Sequence, residues 1–163
     1  MKKKVLPVIV AILLILVIGG CALGKVLLDK YSYSKEEADW NEFYQVSEND
    51  RSAIILQNEM VEEQALIKDG VCYFDLATVH KYMNEVFYAD MTENLLLYAT
   101  PTEVIRTTFG ETAYTTTEGT QEAGYVISFA DGDNVYVAAD YVKLFTNYSY
   151  ECYDRHVQVN TEW

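Results

Sequence analysis

Histidine and cysteine are scarce in this chain of 163 residues, which has two histidines and three cysteines. So few ligands, scattered along the sequence, exclude a zinc finger and a disulfide-dense scaffold. Basic residues are also few, since 12 Lys and Arg stand against 25 Asp and Glu, for a net charge of −13. Nucleic-acid binding needs a basic surface, so that class of partner is excluded. Half of the residues are hydrophobic, which is enough to bury a core.

Charged residues are absent between Val5 and Gly24, a segment that follows three lysines at positions 2–4. These 20 residues, at about 1.5 Å each in a helix, would just cross a hydrocarbon core of roughly 30 Å. The segment therefore predicts a signal-anchor transmembrane helix within residues 1–28. The lysines favour the cytoplasmic side, so the rest of the chain is expected on the extracytoplasmic side of the cell membrane, as in a single-pass protein.

Two other interpretations of the N-terminus stay open. A lysine-rich start, an apolar stretch and small residues are also typical of a cleaved secretory signal. Ile18-Gly19-Gly20-Cys21 resembles a bacterial lipobox, in which Cys21 would be lipidated and become the mature N-terminus. All three interpretations place the same domain outside the cytoplasm.

Residues 29–51 predict a juxtamembrane helix and a polar linker. The stretch from Ser34 to Glu37 has the pattern of a capping box, in which each of these two side chains satisfies a backbone amide at the helix start. The helix is expected at about residues 35–45. It carries three aromatic side chains, Trp40, Phe43 and Tyr44.

The remaining residues, 52–163, contain an internal repeat. Residues 73–84 align with residues 136–147, and Tyr, Val and Asn coincide at three positions. The copies, at about residues 52–100 and 102–160, each have the pattern strand, strand, short helix, strand, strand. We therefore predict an α+β fold, in which an N-terminal transmembrane helix precedes a mainly antiparallel β domain of two duplicated ββαββ units.

Local signals predict where these elements turn. Asp69-Gly70 and the stretch Asp131-Gly132-Asp133-Asn134 are hairpin turns, because their residues tolerate positive φ. Asp75 is placed to cap a short helix, and Asn84 is expected to end that helix in a left-handed conformation.

Candidate functional residues are few, and the sequence predicts no catalytic residue, no metal site and no cofactor. Cys72 and Cys152 would both lie outside the membrane, where a disulfide can persist, but a disulfide and two buried thiols both stay open. The chain has 14 tyrosines, whose rings can stack on sugars or fill half-buried strand positions. Tyr148, Tyr150 and Tyr153 are the candidates for glycan stacking.

Each copy of the repeat has an extended segment, a short helix that ends in Asn and a final apolar strand. In the first copy these are Gly70-Val71-Cys72-Tyr73-Phe74, Val79, Asn84 and Leu95-Leu96-Leu97. This arrangement resembles the copper amine oxidase N-terminal-like domain, which implies the fold of residues 52–163 rather than a copper site.

Three longer motifs follow the lysine-rich start. They are Tyr-Ser-x-Ser-Lys-Glu-x-Ala-Asp at 31–39, Ala-Ile-Ile-Leu-x-Asn-Glu at 53–59 and Leu-Leu-Leu-Tyr-x-Thr-Pro-Thr-Glu at 95–103. Together they resemble the N-terminal anchored region of family 18 glycoside hydrolases of Gram-positive bacteria. The family's Asp-x-x-Asp-x-Asp-x-Glu catalytic strand is missing from the sequence, and a catalytic barrel would need about 250 residues.

The resemblance implies a non-catalytic, membrane-anchored, extracytoplasmic spacer or interaction module of a cell-envelope glycoside hydrolase, expected to be its N-terminal portion. The chain by itself is not expected to be an enzyme. The alternative is a stand-alone envelope protein that binds peptidoglycan or another cell-wall glycan. The expected partners are therefore the membrane, a wall glycan and a glycoside hydrolase domain.

Overall fold

The computed structural model of the chain describes residues 24–28, 30–31, 39–46 and 48–161. The chain divides into two compact units, Met1–Ala38 and Asp39–Trp163. In the first unit, residues 24–28 and 30–31 are helical. The side chains of Val26, Leu27 and Leu28 in this helical segment are exposed.

Among the residues that the structure describes, the predicted transmembrane helix within residues 1–28 is not found. None of the helices in the described residues is long and apolar enough to cross a membrane. Residues 1–23, which include the candidate lipidation site Cys21, lie outside the described residues, and so does the capping box that begins at Ser34.

The unit Asp39–Trp163 is a mainly β domain, so the α+β prediction is wrong. Of the described residues, 49% lie in strands and 19% in helices. The strands are β1 (Arg51–Leu56), β2 (Glu59–Lys68), β3 (Val71–Asp75), β4 (Phe87–Asp90), β5 (Leu95–Ala99), β6 (Val104–Thr108), β7 (Ala113–Thr116), β8 (Gly119–Glu122), β9 (Ser128–Asp131), β10 (Asn134–Ala138), β11 (Tyr148–Cys152) and β12 (His156–Thr161). The helices are α1 (Trp40–Tyr44), α2 (Leu76–Tyr82) and α3 (Ala139–Lys143).

The strands form two sheets. The larger has seven strands in the order β11-β12-β1-β2-β3-β10-β9, and the smaller has five in the order β4-β5-β6-β7-β8. All pairs are antiparallel except β1 with β12, which run parallel with Ala53 opposite His156 and Leu56 opposite Val159. One parallel pair inside the larger sheet therefore connects the start of the domain to its last described strand.

The two predicted hairpin turns are confirmed. Asp69 and Gly70 have φ of 52° and 79° and connect β2 to β3, whose Lys68 and Val71 are paired. Two residues with positive φ at the turn give the local twist that matches paired strands. The second hairpin closes with Asn134 opposite Asp131.

The succession of hairpin, helix and hairpin occurs twice, but the domain is not built of two equivalent ββαββ units. β3 and β10 pair with each other in the larger sheet, and each leads into a helix. The hairpin after α2, β4–β5, belongs to the smaller sheet, whereas the hairpin after α3, β11–β12, extends the larger one. The corresponding strands therefore have different neighbours, and the predicted duplication is corrected on that ground.

The two helices after β3 and β10 begin differently. Asp75 caps α2, since its carboxylate accepts a hydrogen bond of 3.0 Å from the amide of Ala77, as predicted. Ala138 precedes α3 and offers no side-chain cap. Asn84 follows α2 without the predicted left-handed conformation; its side chain instead accepts from the amide of Val86 and donates to the carbonyl of Phe145.

A cluster of aromatic rings connects the smaller sheet to α3. The ring of Tyr141, 1% exposed, lies 6.2 Å from Phe87 of β4 and 5.3 Å from Tyr114 of β7. Phe145 completes the cluster, with its ring 4.4 Å from that of Tyr98 on β5. Apolar burial, which stabilises by about 25 cal/mol per Å², thus joins the smaller sheet to the larger one through the helix.

Candidate functional site

A cleft of about 280 Å³ lies between helix α1 and the loop that joins β11 to β12. Its size is close to the lower limit of small-molecule sites, which is about 300 Å³. Aromatic side chains form most of its wall. The lining residues are Trp40, Tyr44, Tyr153, Asp154, Arg155 and His156.

The first wall of the cleft is the short helix α1. Asp39 caps this helix, because its carboxylate accepts from the amides of Asn41 and Glu42 at 2.9 and 3.4 Å. Trp40 and Tyr44 are four positions apart, so their side chains lie on one face of the helix. Gln45, with φ of 55°, ends it in a left-handed conformation.

Two contacts hold α1 to the sheet. The side-chain amide of Gln64 on β2 donates to the carbonyl of Gln45 at 3.0 Å. The next residue, Val46, is only 2% exposed. The helix is therefore attached to the sheet at its C-terminal end. It needs this attachment because a helix of only five residues is not stable alone.

The second wall is the loop before β12. The amide of Tyr153 donates to the carbonyl of His156 at 2.8 Å, and the carbonyl of Arg155 accepts from the amide of Ala53 on β1 at 3.0 Å. The hydroxyl of Tyr153 donates to the carboxylate of Glu151 at 2.6 Å, and this hydrogen bond raises the pKa of Tyr153. The backbone and the ring of Tyr153 are thus both held in place.

Four rings from the two walls stack in one column. The ring centroids of Trp40 and Tyr44 are 6.0 Å apart, those of Tyr44 and His156 are 4.7 Å apart, and those of His156 and Tyr153 are 4.6 Å apart. The interplanar angles are 23°, 25° and 13°, so the rings are nearly parallel. Such pairs contribute about 0.5–1.5 kcal/mol each beyond their buried area.

The two ends of the column remain accessible. Trp40 is 55% exposed and Tyr153 is 50% exposed, whereas Tyr44 and His156 between them are half-buried. Asp154 is exposed and Arg155 half-buried, so charged hydrogen-bonding groups border the aromatic surface. A flat apolar face beside charged groups suits a ligand that has both apolar faces and hydroxyl edges.

Only one of the three candidate tyrosines lies in the cleft. The hydroxyl of Tyr148 donates to the carbonyl of Tyr82 at 2.8 Å, and its side chain is half-buried. The ring of Tyr150 packs against Phe74 at 6.3 Å, and desolvation together with Asp140 raises its pKa. Tyr153 alone faces the cleft.

Trp40, Tyr44 and His156 were not among the predicted site residues. The sequence does place the first two on one helix, at a spacing that aligns their side chains. It gives no sign that His156, more than 100 positions later, stacks on Tyr44. The long-range fold brings the two walls together.

Within the part of the chain that the structure describes, no three side chains of His, Cys, Asp and Glu are grouped so that they could hold a metal ion. The two histidines are used differently: His80 is hydrogen-bonded to the carbonyl of Phe87, and His156 stacks in the cleft.

Cys72 and Cys152 are both free thiols in the structure. Cys72 on β3 is buried, and Cys152 at the end of β11 is exposed. The two side chains nevertheless interact, and this interaction raises the pKa of Cys72 and lowers that of Cys152. Burial raises the pKa of Cys72 further.

Comparison of the chain with protein-family models, with curated proteins and with solved structures found no match.

Proposed function

We propose that this chain is a non-catalytic, extracytoplasmic interaction module of the cell envelope, and that it binds a cell-wall glycan in the aromatic cleft. The observation that carries the proposal is the ring column, whose accessible ends are Trp40 and Tyr153. The apolar faces of a sugar ring can cover exposed aromatic rings, while its hydroxyl groups bond to neighbouring charged side chains. Asp154 and Arg155 lie where such bonds would form.

The proposal assigns binding rather than catalysis because of what the cleft contains. Its walls are mainly stacked rings, which recognise flat surfaces, and Tyr44 and His156 are each stacked between two other rings of the column. The loop of the second wall is held through its backbone. A rigid site of this kind needs little reordering on binding, which favours affinity.

The extracytoplasmic location rests on the sequence. Three lysines precede the uncharged segment from Val5 to Gly24, and all 25 acidic residues come after it. This distribution is typical of a chain attached to the membrane at its N-terminal segment, with its domain outside. Protease added to intact protoplasts should digest the domain, and full protection would contradict this location.

Sedimentation with purified peptidoglycan tests the binding proposal. The full chain, in a mild non-ionic detergent, should sediment with the wall material in a saturable manner. Trp40→Ala and Tyr153→Ala should each weaken binding about tenfold, equivalent to ~1.4 kcal/mol, because each removes one accessible ring. Tyr88→Ala is the matched control, since Tyr88 is 58% exposed and lies on β4 outside the cleft.

The outcomes separate a specific site from general adhesion. Equal losses for Tyr88→Ala and the two cleft variants would show that exposed aromatic residues bind walls without a site. No sedimentation of the wild-type chain, with peptidoglycan or with other wall polysaccharides, would overturn the proposal.

The motifs at 31–39, 53–59 and 95–103 favour a second role, as the spacer of a family 18-like glycoside hydrolase. Sequencing the gene and its transcript through and beyond codon 163 tests it. An in-frame continuation into an Asp-x-x-Asp-x-Asp-x-Glu barrel would support this role. A stop codon with no such partner would contradict it.

A further inference from the structure

Strands β3 and β11 face each other, although β12, β1 and β2 separate them in the order of the sheet. The rings of Phe74 on β3 and Tyr150 on β11 have centroids 6.3 Å apart at an interplanar angle of 80°. The sheet therefore curves enough to bring its edge strand β11 over the inner strand β3. This ring contact brings the two strands close to each other independently of the cysteines.

The two cysteines lie next to these two rings on the same strands. Cys72 lies two residues before Phe74, and Cys152 lies two residues after Tyr150. Side chains two positions apart in a strand point to the same face, so the thiols lie on the facing sides of the two strands. The opposite pKa shifts that each thiol causes in the other agree with this arrangement. Val157, directly opposite Cys152 on β12, is fully buried, which identifies this face as the interior one.

The two thiols have complementary environments. Cys152 is exposed, and the interaction with Cys72 favours its thiolate and lowers its pKa. Cys72 is 5% exposed and stays protonated, since burial and the neighbouring sulfur raise its pKa. An accessible sulfur that ionises beside a protected partner is the usual arrangement of an attacking and a resolving cysteine.

We propose that Cys72 and Cys152 are a redox site, at which an external disulfide compound oxidises the pair to an intramolecular disulfide. The thiolate of Cys152 attacks one sulfur of that compound, breaks its S–S bond and releases one thiolate. A mixed disulfide results. Cys72 then loses its proton and attacks the sulfur of Cys152, which releases the second thiolate. Two protein thiols are oxidised, and one disulfide is reduced to two thiols. This inference does not depend on the glycan proposal.

Closure changes how the edge of the larger sheet is held. Among the described strands β11 pairs only with β12, so within this part of the chain the hairpin β11–β12 has one unpaired edge. A covalent bond from Cys152 to Cys72 attaches that edge to the inner strand β3. Because the bond would close a long loop, it restricts the unfolded chain strongly.

The test compares reduced and oxidised full chain, in the Cys21→Ser background so that no third thiol takes part. Oxidised glutathione is the probe. Two thiols should disappear, and digestion without reductant should give a peptide pair that contains Cys72 and Cys152. The midpoint of thermal unfolding should rise on the order of 10 °C, and reductant should reverse the rise.

Cys152→Ser in the same background is the control, because its side chain is exposed and its loss should not disturb the fold. Its unfolding midpoint should be the same with and without oxidised glutathione. The proposal is overturned if the oxidised chain keeps both thiols, carries glutathione on Cys152 without closing, or joins to a second chain instead.

Discussion

Replacing Phe87 by alanine removes a ring that connects the smaller sheet to helix α3. Phe87 is 1% exposed, and its ring centroid lies 5.1 Å from that of Tyr98, 6.0 Å from Phe145 and 6.2 Å from Tyr141. One of these neighbours is in the smaller sheet, and the other two lie in or just beyond the helix. The substitution therefore opens a cavity where the smaller sheet packs against helix α3.

The magnitude follows from complete burial at a crowded position. Phe→Ala at such sites lowers the free energy of unfolding by about 3–5 kcal/mol, the lost transfer energy of the ring and the cavity included. Three ring neighbours favour the upper half of this range, near 4 kcal/mol, because each aromatic pair adds about 0.5–1.5 kcal/mol. A domain of this size has about 5–15 kcal/mol in all, so the loss is a large fraction of its stability.

Urea denaturation of the full chain in a mild detergent, followed by tryptophan fluorescence, measures the effect. With a slope of about 1–3 kcal/mol per M, a loss near 4 kcal/mol lowers the midpoint by roughly 1.3–4 M. Tyr88→Ala is the matched control, because Tyr88 follows Phe87 on β4 and is 58% exposed. This substitution should change the free energy of unfolding by less than about 1 kcal/mol. Equal effects of the two substitutions would refute the conclusion that Phe87 connects the smaller sheet to helix α3.

Two further predictions use the same denaturation assay. Asp75→Ala should lower the free energy of unfolding by about 1 kcal/mol because the amide of Ala77 loses its cap. Asp75→Asn should keep most of this stability, since Asn can also accept the hydrogen bond. Equal losses for the two variants would contradict the capping role. Lys81 and Tyr82 donate to the Glu63 carboxylate at 2.7 and 2.8 Å and lower its pKa below the ordinary 4.5. The stability that the ionised Glu63 gains from these hydrogen bonds is present above pH 4.5 and is lost as the pH falls through the lowered pKa. The Glu63→Gln variant should therefore lose less stability on acidification than the wild-type chain does. An identical acid dependence of the two chains would count against it.

The parts of the fold that depend on neighbouring residues are the ones the sequence predicts well. The Asp69-Gly70 turn follows from the ease with which these residues take positive φ, and the Asp75 cap follows from the reach of a short carboxylate to an amide two positions on. Asn84 shows the limit of this reasoning, since a hydrogen bond to Phe145, far along the chain, replaces the expected left-handed conformation.

Strand partners could not be predicted in the same way. An alternating strand has two edges, and its sequence does not say which other strand will pair with each. The repeat suggested equivalent neighbours for β5 and β12, yet β5 lies between β4 and β6, whereas β12 lies between β11 and β1. The aromatic cleft has the same origin, because its second wall is positioned by the pairing of β12 with β1.

That parallel pair also joins the two strands of the larger sheet that are farthest apart along the chain among its neighbouring pairs. Ala53 of β1 pairs with His156, which lies about 100 residues later in the sequence. Contacts between residues so far apart in the chain form slowly. A chain made or exported from its N-terminus exposes β1 long before β12 arrives. During that interval the unpaired backbone of β1 can join a strand of another chain. One edge of β1 therefore stays open to such pairing until nearly the whole domain has been synthesised.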